Sequence, residues 1–524
     1  MRMARNWRVK SVEQSIRETD EPGHQLKRNL RTWDLIVFGV GVIVGTGIFV
    51  LTGQQAALNA GPAVILSFLL AGITCAFAAL CYAELASAVP VAGSAYTFAY
   101  ATLGEVAAWI IGWDLMLELM LGAAVVARGW SAYLQSLLDL PTWMAGDKAW
   151  PDPAAVAIVL LLASLLIRGS KTASRFTGVL VTVKIAVVLL VIVVGAMHIK
   201  TANYTPFIPP AGPAPAGVGG IVHQPIVQAF LGLEPTTFGV FGVVAASSVV
   251  FFAFIGFDIV ATTAEETKNP QRDMPRGILG SLAICTVLYM AVAAVLTGMV
   301  PYGQLNTGAP LAEAFDAIGV TWAARLIALG AVAGITTVIL VMILGQTRVV
   351  FAMSRDHLLP PGLARVHPKF GTPWLITAVV AGLVAILAGF IPLSALSELV
   401  SIGTLFAFLV VCIGVLVLRR TRPTLPRSFR TPWVPVIPVL GVLSCGWLML
   451  NLPLETWLRF LIWMVIGIAI YLAYGRRHSR LARGGAQGAA RAATADDGPS
   501  VPMQPDRRSQ GVHAENPHSE NPRA

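Results

Sequence analysis

Two kinds of residue in this sequence stand where they could do chemistry. The first is glycine, clustered inside long apolar runs: Gly41, Gly45 and Gly47 in Gly39-Val-Gly-Val-Ile-Val-Gly-Thr-Gly-Ile-Phe, and Gly256 beside Asp258 in Phe251-Phe-Ala-Phe-Ile-Gly-Phe-Asp. Glycine weakens a helix by about 1 kcal/mol relative to alanine, so both runs invite a break. The second is charge far from any polar stretch: Lys184 in Val181-Thr-Val-Lys-Ile-Ala-Val-Val, and Asp114 with Glu118 one helical turn further on. A lysine so placed must snorkel, pair or shed its proton. About 10 Å of helix separates it from the polar end near Thr177, so its stem could snorkel only partly.

Backbone released from a helix in an apolar solvent must bond elsewhere or line a cavity. Half-helix N-termini offer unpaired N–H groups and a positive dipole end to a carboxylate, while freed carbonyls accept an ammonium. An α-amino acid carries both charges, so the expected chemistry is recognition of a zwitterion by main chain, with Lys184 as the proton-coupling group. Gly41-x-x-x-Gly45 is also the pattern of a close helix–helix contact, and Asp258 fits a cap on the segment after its break. Glu118 reads as one end of the pocket, as part of a proton path, or as a structural carboxylate paired with Arg128.

The elements that must position these residues are membrane spans. Of 524 residues, 56% are apolar and 12% charged, against roughly a quarter charged in soluble domains. Uncharged runs of the length a bilayer requires, about 20 residues, fall near 33–54, 61–83, 98–126, 153–168, 174–198, 238–263, 277–300, 320–346, 373–392, 396–419, 433–452 and 457–475. The expected fold is an all-α polytopic membrane protein with twelve transmembrane helices. Breaks in the first and sixth spans, five apart, predict a 5+5 inverted repeat with the site between its halves. The chain divides into 1–32, a cytoplasmic N-terminal segment; 33–198, the first repeat; 199–237, an extracellular Pro- and Gly-rich loop; 238–419, the second repeat; 420–475, two further spans; and 476–524, a disordered tail.

Lys and Arg gather on alternate connections, including Lys268, Arg272, Arg276, Arg355, Arg419, Arg420, Arg422, Arg427 and Arg430, which predicts that both termini are cytoplasmic. The net charge of +10 therefore sits beside the spans, facing membrane lipid and not nucleic acid. The first thirty residues lack the apolar core of a signal peptide. Cys75, Cys81, Cys285, Cys412 and Cys445 lie inside apolar runs without metal-ligand spacing. No catalytic constellation, phosphate loop or dinucleotide fingerprint is present, so neither an enzyme nor a cofactor is expected. Glu84, Glu265, Glu266, Arg276, Arg348 and Arg355 fall near inner span ends and read as gate or loop ion pairs.

Several long motifs, in order, resemble the amino acid–polyamine–organocation (APC) superfamily, and within it the bacterial cationic amino acid transporter branch. They are Gly45-Thr-Gly-Ile-Phe; Cys81-Tyr-Ala-Glu-Leu-Ala followed by Pro90-Val-Ala-Gly-Ser-Ala-Tyr; Gly112-Trp-Asp-Leu-Met-Leu-Glu; Phe251-Phe-Ala-Phe-Ile-Gly-Phe-Asp; Glu265-Glu-Thr-Lys-Asn-Pro; and Gly345-Gln-Thr-Arg-Val-Val-Phe-Ala-Met-Ser-Arg-Asp. The resemblance implies a LeuT-like fold with spans 1 and 6 unwound. Ile43, Gly45, Thr46 and Gly47 would hold substrate with backbone of Phe252, Ala253 and Ile255, with Phe252 as the gating aromatic. It also implies that Lys184 contacts the first and eighth spans, standing where sodium binds in sodium-dependent members. A small single-span partner at the fifth span is a further implication. The expected activity is proton-coupled symport of cationic or small neutral L-amino acids across a bacterial inner membrane, with obligate exchange, sodium coupling or an amino-acid sensor as alternatives.

Overall fold

The structure is a computed structural model and describes residues 30–89, 94–169, 171–213, 223–232, 236–368 and 370–480. The expectations for the N-terminal segment, for the motif beginning at Pro90, for part of the 199–237 loop and for the tail beyond 480 lie outside the described residues, as do the side chains of Lys171, Arg175 and Glu265.

Helices occupy every apolar run named above. Helix α1 (Thr32–Ile43) is followed, after a break, by helical turns over 47–60 (α2), two of them wide π-type turns. Gly61, at φ +59°, reverses the chain into α3 (Val64–Ala88). Next come α4 (Ser94–Thr102), α5 (Glu105–Leu138), α6 (Pro153–Arg168) and α7 (Lys171–Ala196). The long connection that follows carries an antiparallel pair of two-residue strands, β1 (Gly212–Pro213) and β2 (Thr236–Thr237), and a short helix α8 (Ile226–Phe230). Then α9 (Gly239–Val250) leads through a second break to α10 (Phe257–Val260). The chain continues through α11 (Pro270–Met299), the short α12 (Pro310–Ala317), α13 (Thr321–Arg355), α14 (Trp374–Phe390), α15 (Leu393–Thr421), α16 (Val436–Leu450) and α17 (Leu454–Ile470). Among the described residues, eight helical stretches are long and apolar enough to cross a bilayer, and four apolar helices are shorter. The chain is an integral membrane protein.

One predicted boundary shifts for a local reason. The run 98–126 merges two helices: Gly104, at φ +96°, separates α4 from α5, which then continues to Leu138. A left-handed residue is compatible with apolar sequence on both sides, so hydropathy does not register it.

The helices form two packed groups. In one, α11 lies along α1 and α3, and α3 along α9; in the other, α5 lies along α13 and α14, and α6 along α14. Helix α7 leans on α13 and α11, and α15 leans on α5, α3 and α16.

The second group is tied at one end by a buried ion pair. Arg128 of α5 lies 3.5 Å from Asp152, and both are almost fully buried. Arg128 also donates to the carbonyls of Ala149, Asp147 and Ala388, while Asp152 accepts from Ser131 and from the backbone N–H of Ala155, capping α6. This corrects the expectation that offered Arg128 as a partner for Glu118: the arginine lies ten residues beyond Glu118 on the same helix and reaches the connection ahead of α6. Removing one partner of a buried pair strands the other. Arg128→Met is therefore expected to lower stability by about 3 kcal/mol or more, read as a fall in the melting midpoint of detergent-solubilised protein, while Arg128→Lys recovers part of the loss.

Candidate functional site

The first break begins where Val44 leaves the helical region at ψ 98°. Its N–H still reaches Val40, but helical bonding resumes only when Ile48 and Phe49 donate to the Gly45 carbonyl, at 3.2 and 3.3 Å. The first turn of α2 therefore presents leading N–H groups without intrahelical acceptors. The second break follows a tight turn over Phe251–Phe254: Ile255 is extended and Gly256 takes φ +128° before α10 starts. Asp258 Oδ1 accepts the Gly256 N–H at 3.1 Å, bracing the bend from within.

The two breaks touch. A Cβ on Gly47 would lie 2.4 Å from the Ala253 Cα, and one on Gly256 would lie 2.8 Å from Val42 Cγ1 and 3.3 Å from the Ile43 nitrogen. Glycine is required at both because backbone meets backbone. Thr46 fills the space over Gly129 of α5, and Gly45 faces Val338 of α13. Ile43, Gly45, Thr46, Gly47, Phe252, Ala253, Ile255 and Gly256 are brought to one level of the molecule, and all are buried.

Lys184 lies at the same place and is fully buried. It does not snorkel. Its ammonium donates to the carbonyls of Gly41 and Val44 on the break, the latter at 3.1 Å, and to the Thr337 hydroxyl of α13, also at 3.1 Å. An ammonium has three donors, and three acceptors meet it. Gly334 makes room: a Cβ there would lie 2.6 Å from that of Lys184.

Sequence reasoning missed Tyr289 of α11. Its hydroxyl lies 2.7 Å from the Ile43 carbonyl and 2.9 Å from that of Ala253, so one O–H is shared between the two breaks. A tyrosine in an apolar run carries no local signal of this role, and Thr337 and Gly129 are equally silent.

Glu118 and Asp114 stand apart from this cluster on the face of α5 toward α15. A Cβ on Gly403 would lie 3.0 Å from Asp114 Oδ1 and 3.9 Å from the Glu118 Cβ. None of their four carboxylate oxygens has a hydrogen-bond partner among the described residues, and all are buried. Of the expected inner ion pairs, Glu84 meets Arg419 and Arg427, and Glu266 lies 3.8 Å from Arg348. No group of three or more metal-ligating side chains occurs among the described residues.

This chain belongs to the amino acid permease family of the APC superfamily: the family's model, described as amino acid permease, matches residues 30–474. Among its relatives is the methylthioribose transporter of Bacillus subtilis (strain 168), 46% identical over 87% of this chain and 95% of the relative. The branched-chain amino acid permease BcaP of the same organism is 45% identical over 91% of this chain and 98% of its own length. Cationic amino acid transporter 1 of Arabidopsis thaliana is 38% identical over 76% of this chain and 64% of the plant protein. These relatives are named as permeases and transporters and not as enzymes.

The close approach of the breaks sets the cost of adding a methyl group. Gly256→Ala should lose about 1–3 kcal/mol through its positive φ alone, and Gly47→Ala should lose at least as much. Gly382→Ala in α14, where a Cβ meets nothing within 4 Å, should be neutral or gain up to about 1 kcal/mol from helix propensity. Melting midpoints of the three variants in one detergent check the order.

Proposed function

We propose that this permease carries small α-amino acids across a bacterial inner membrane by alternating access, as a proton-coupled symporter. The observation that carries the reading is the meeting of two interrupted helices, where N–H groups leading α2 and carbonyls of both breaks converge in a buried place. Such backbone suits a zwitterion, whose carboxylate takes the N–H groups and whose ammonium takes the second lone pairs of carbonyls that Lys184 and Tyr289 also hold. In this reading Ile43, Gly45, Thr46 and Gly47 bind substrate with Phe252, Ala253 and Ile255. Phe252 gates the site, Gly256 and Asp258 shape it, and Glu118 stands toward the substrate's side chain.

Twelve spans follow if α1 with α2 is one crossing, α9 with α10 another, and the shorter apolar helices cross as well. The packing supports a LeuT-like 5+5 inverted repeat over 33–198 and 238–419. Exchanging each of the first five spans for the one five later turns the contact of the fifth span with the eighth into that of the tenth with the third. It likewise turns first-with-seventh into sixth-with-second, and both members of each pair are present. The spans at 420–475 then stand outside the repeat, and the charge bias puts both termini on the cytoplasmic side. Val179, Val183, Leu189 and Val193 of α7 are exposed apolar residues, which suits lipid or the small single-span partner.

Lys184 is the proposed proton site, since its acceptors are neutral and join the first break to α13. The bacterial relative named for branched-chain substrates favours small neutral amino acids over cationic ones. The relative named for methylthioribose supports a second reading, in which a neutral sugar thioether occupies the same place without a carboxylate to meet the α2 N–H groups.

Purified protein in proteoliposomes should accumulate labelled alanine, valine or leucine when the lumen is made alkaline, and a protonophore should collapse the accumulation. Lys184→Ala should cut gradient-driven uptake by about tenfold or more, each tenfold corresponding to about 1.4 kcal/mol. Uptake indifferent to the gradient, with counterflow intact, would replace symport by exchange. Uptake of methylthioribose but no amino acid would overturn the zwitterion site.

A further inference from the structure

We propose that Glu84 is the latch of a gate at the inner end of the molecule: its carboxylate fastens α15 and the segment after it to α3, and its release parts them. The inference rests on the alternating-access reading and names a residue outside the substrate site.

Glu84 sits in the last turns of α3, where a carboxylate would ordinarily reach water, yet it has no exposure. Arg419 at the end of α15 donates to it twice, Nε to Oε1 at 2.7 Å and Nη2 to Oε2 at 2.8 Å. The backbone N–H of Thr431, on the connection to α16, reaches Oε2 at 2.8 Å, and Arg427 Nε lies 3.3 Å from Oε1. Arg427 in turn donates to the carbonyls of Leu418, Arg422, Pro423 and Leu425, winding that connection around itself. One carboxylate thus holds three stretches of chain against α3.

Deeper in the seam between α3, α4 and α15, Tyr82 packs edge-on against Phe98 and Phe408, but the end beside Glu84 is less tightly filled. Leu85, Ala99, Thr102, Val410 and Gly414 line a narrow gap. A Cβ on Gly414 would meet Thr102 at 3.4 Å and Leu85 at 3.9 Å, ordinary contacts, whereas one on Gly129 would overlap Thr46 at 2.4 Å. At this end of the seam the Glu84 ion pairs supplement a loose apolar contact. That suits a contact which must part, because a carboxylate and guanidinium regain hydration on opening, while separated apolar surfaces only lose.

The chain carries its own reporters. Cys81, one turn before Glu84, and Cys412 of α15 adjoin across the seam, and both are fully buried. Cys285, on α11, is also buried and serves as the internal control, while Cys75 and Cys445 lie nearer the seam. A membrane-impermeant maleimide is applied to the cytoplasmic face of the full-length protein in oriented proteoliposomes, with sites assigned through Cys81→Ser and Cys412→Ser. Glu84→Gln is expected to raise labelling of Cys81 and Cys412 by about tenfold, as a shift of an opening equilibrium, while Cys285 stays unlabelled. Arg419→Gln, at a half-exposed position, should act in the same direction more weakly and covers the case in which Glu84→Gln does not fold; Arg419→Lys should restore protection in part. Unchanged labelling in both folded variants overturns the latch, and so does labelling that rises alike at all five cysteines. The readout needs no substrate: altered labelling without any uptake by the wild-type protein would sink the transport reading alone, and intact uptake with unaltered labelling would sink the latch alone.

Discussion

The hydrocarbon interior supplies no hydrogen bonds, so a helix can be interrupted there only where something else claims the backbone groups it releases. Here the claim is made by two side chains from neighbouring helices. Lys184 takes the carbonyls of Gly41 and Val44, and the single O–H of Tyr289 is shared between those of Ile43 and Ala253. Each buried carbonyl left without a donor would cost about 1–3 kcal/mol, so four of them would consume much of the stability of an ordinary domain. The breaks therefore belong to four helices and not to two. α7 and α11 are placed so that a long donor arrives at the level where α1 and α9 stop.

The treatment of charge follows the same logic with a different answer at each depth. At the ends of the bundle, opposite charges meet: Arg128 with Asp152 at one, and Glu84 with Arg427 and, through two hydrogen bonds, Arg419 at the other. Away from the ends there is no such pairing. Lys184 meets only neutral oxygens, and Asp114 and Glu118 meet no donor among the described residues. Closed pairs fix geometry, because losing either member strands a charge. Lys184, held by neutral dipoles, keeps the freedom to change state that its proposed role requires.

Much of this was legible in the amino-acid order because the signals are local. Gly41, Gly45 and Gly47 mark one break and Gly256 the other, Lys184 declares itself by its apolar neighbours, and a helix occupies each apolar run, though the third and eighth run on well past their expected ends. What the order did not reveal is partnership. Tyr289 lies 246 positions from Ile43, Asp152 displaced the expected partner of Arg128, and Gly129 matters only because Thr46 rests on it. The separation of α4 from α5 turns on one positive φ at Gly104. Those facts depend on which helices become neighbours, and periodicity along a single helix carries no information about that.

The acceptors around Lys184 also constrain what a change of protonation can do there. As an ammonium it uses all three donors, on Gly41, Val44 and Thr337. As an amine it would keep two donors and gain a lone pair, and a lone pair cannot face a carbonyl oxygen without repulsion. Of the three partners, Thr337 alone can reverse its role, since a hydroxyl both donates and accepts; it now donates to the Gly334 carbonyl at 2.7 Å. Turning that hydroxyl toward the amine would leave both main-chain carbonyls of the break still bonded, but by neutral hydrogen bonds roughly half as strong as charge-assisted ones. In the proposed cycle the proton thus grades the grip of α7 on the first break without severing it. A site that holds its segment in both states, and more firmly in one, can couple the proton to the conformation of the backbone that binds the substrate.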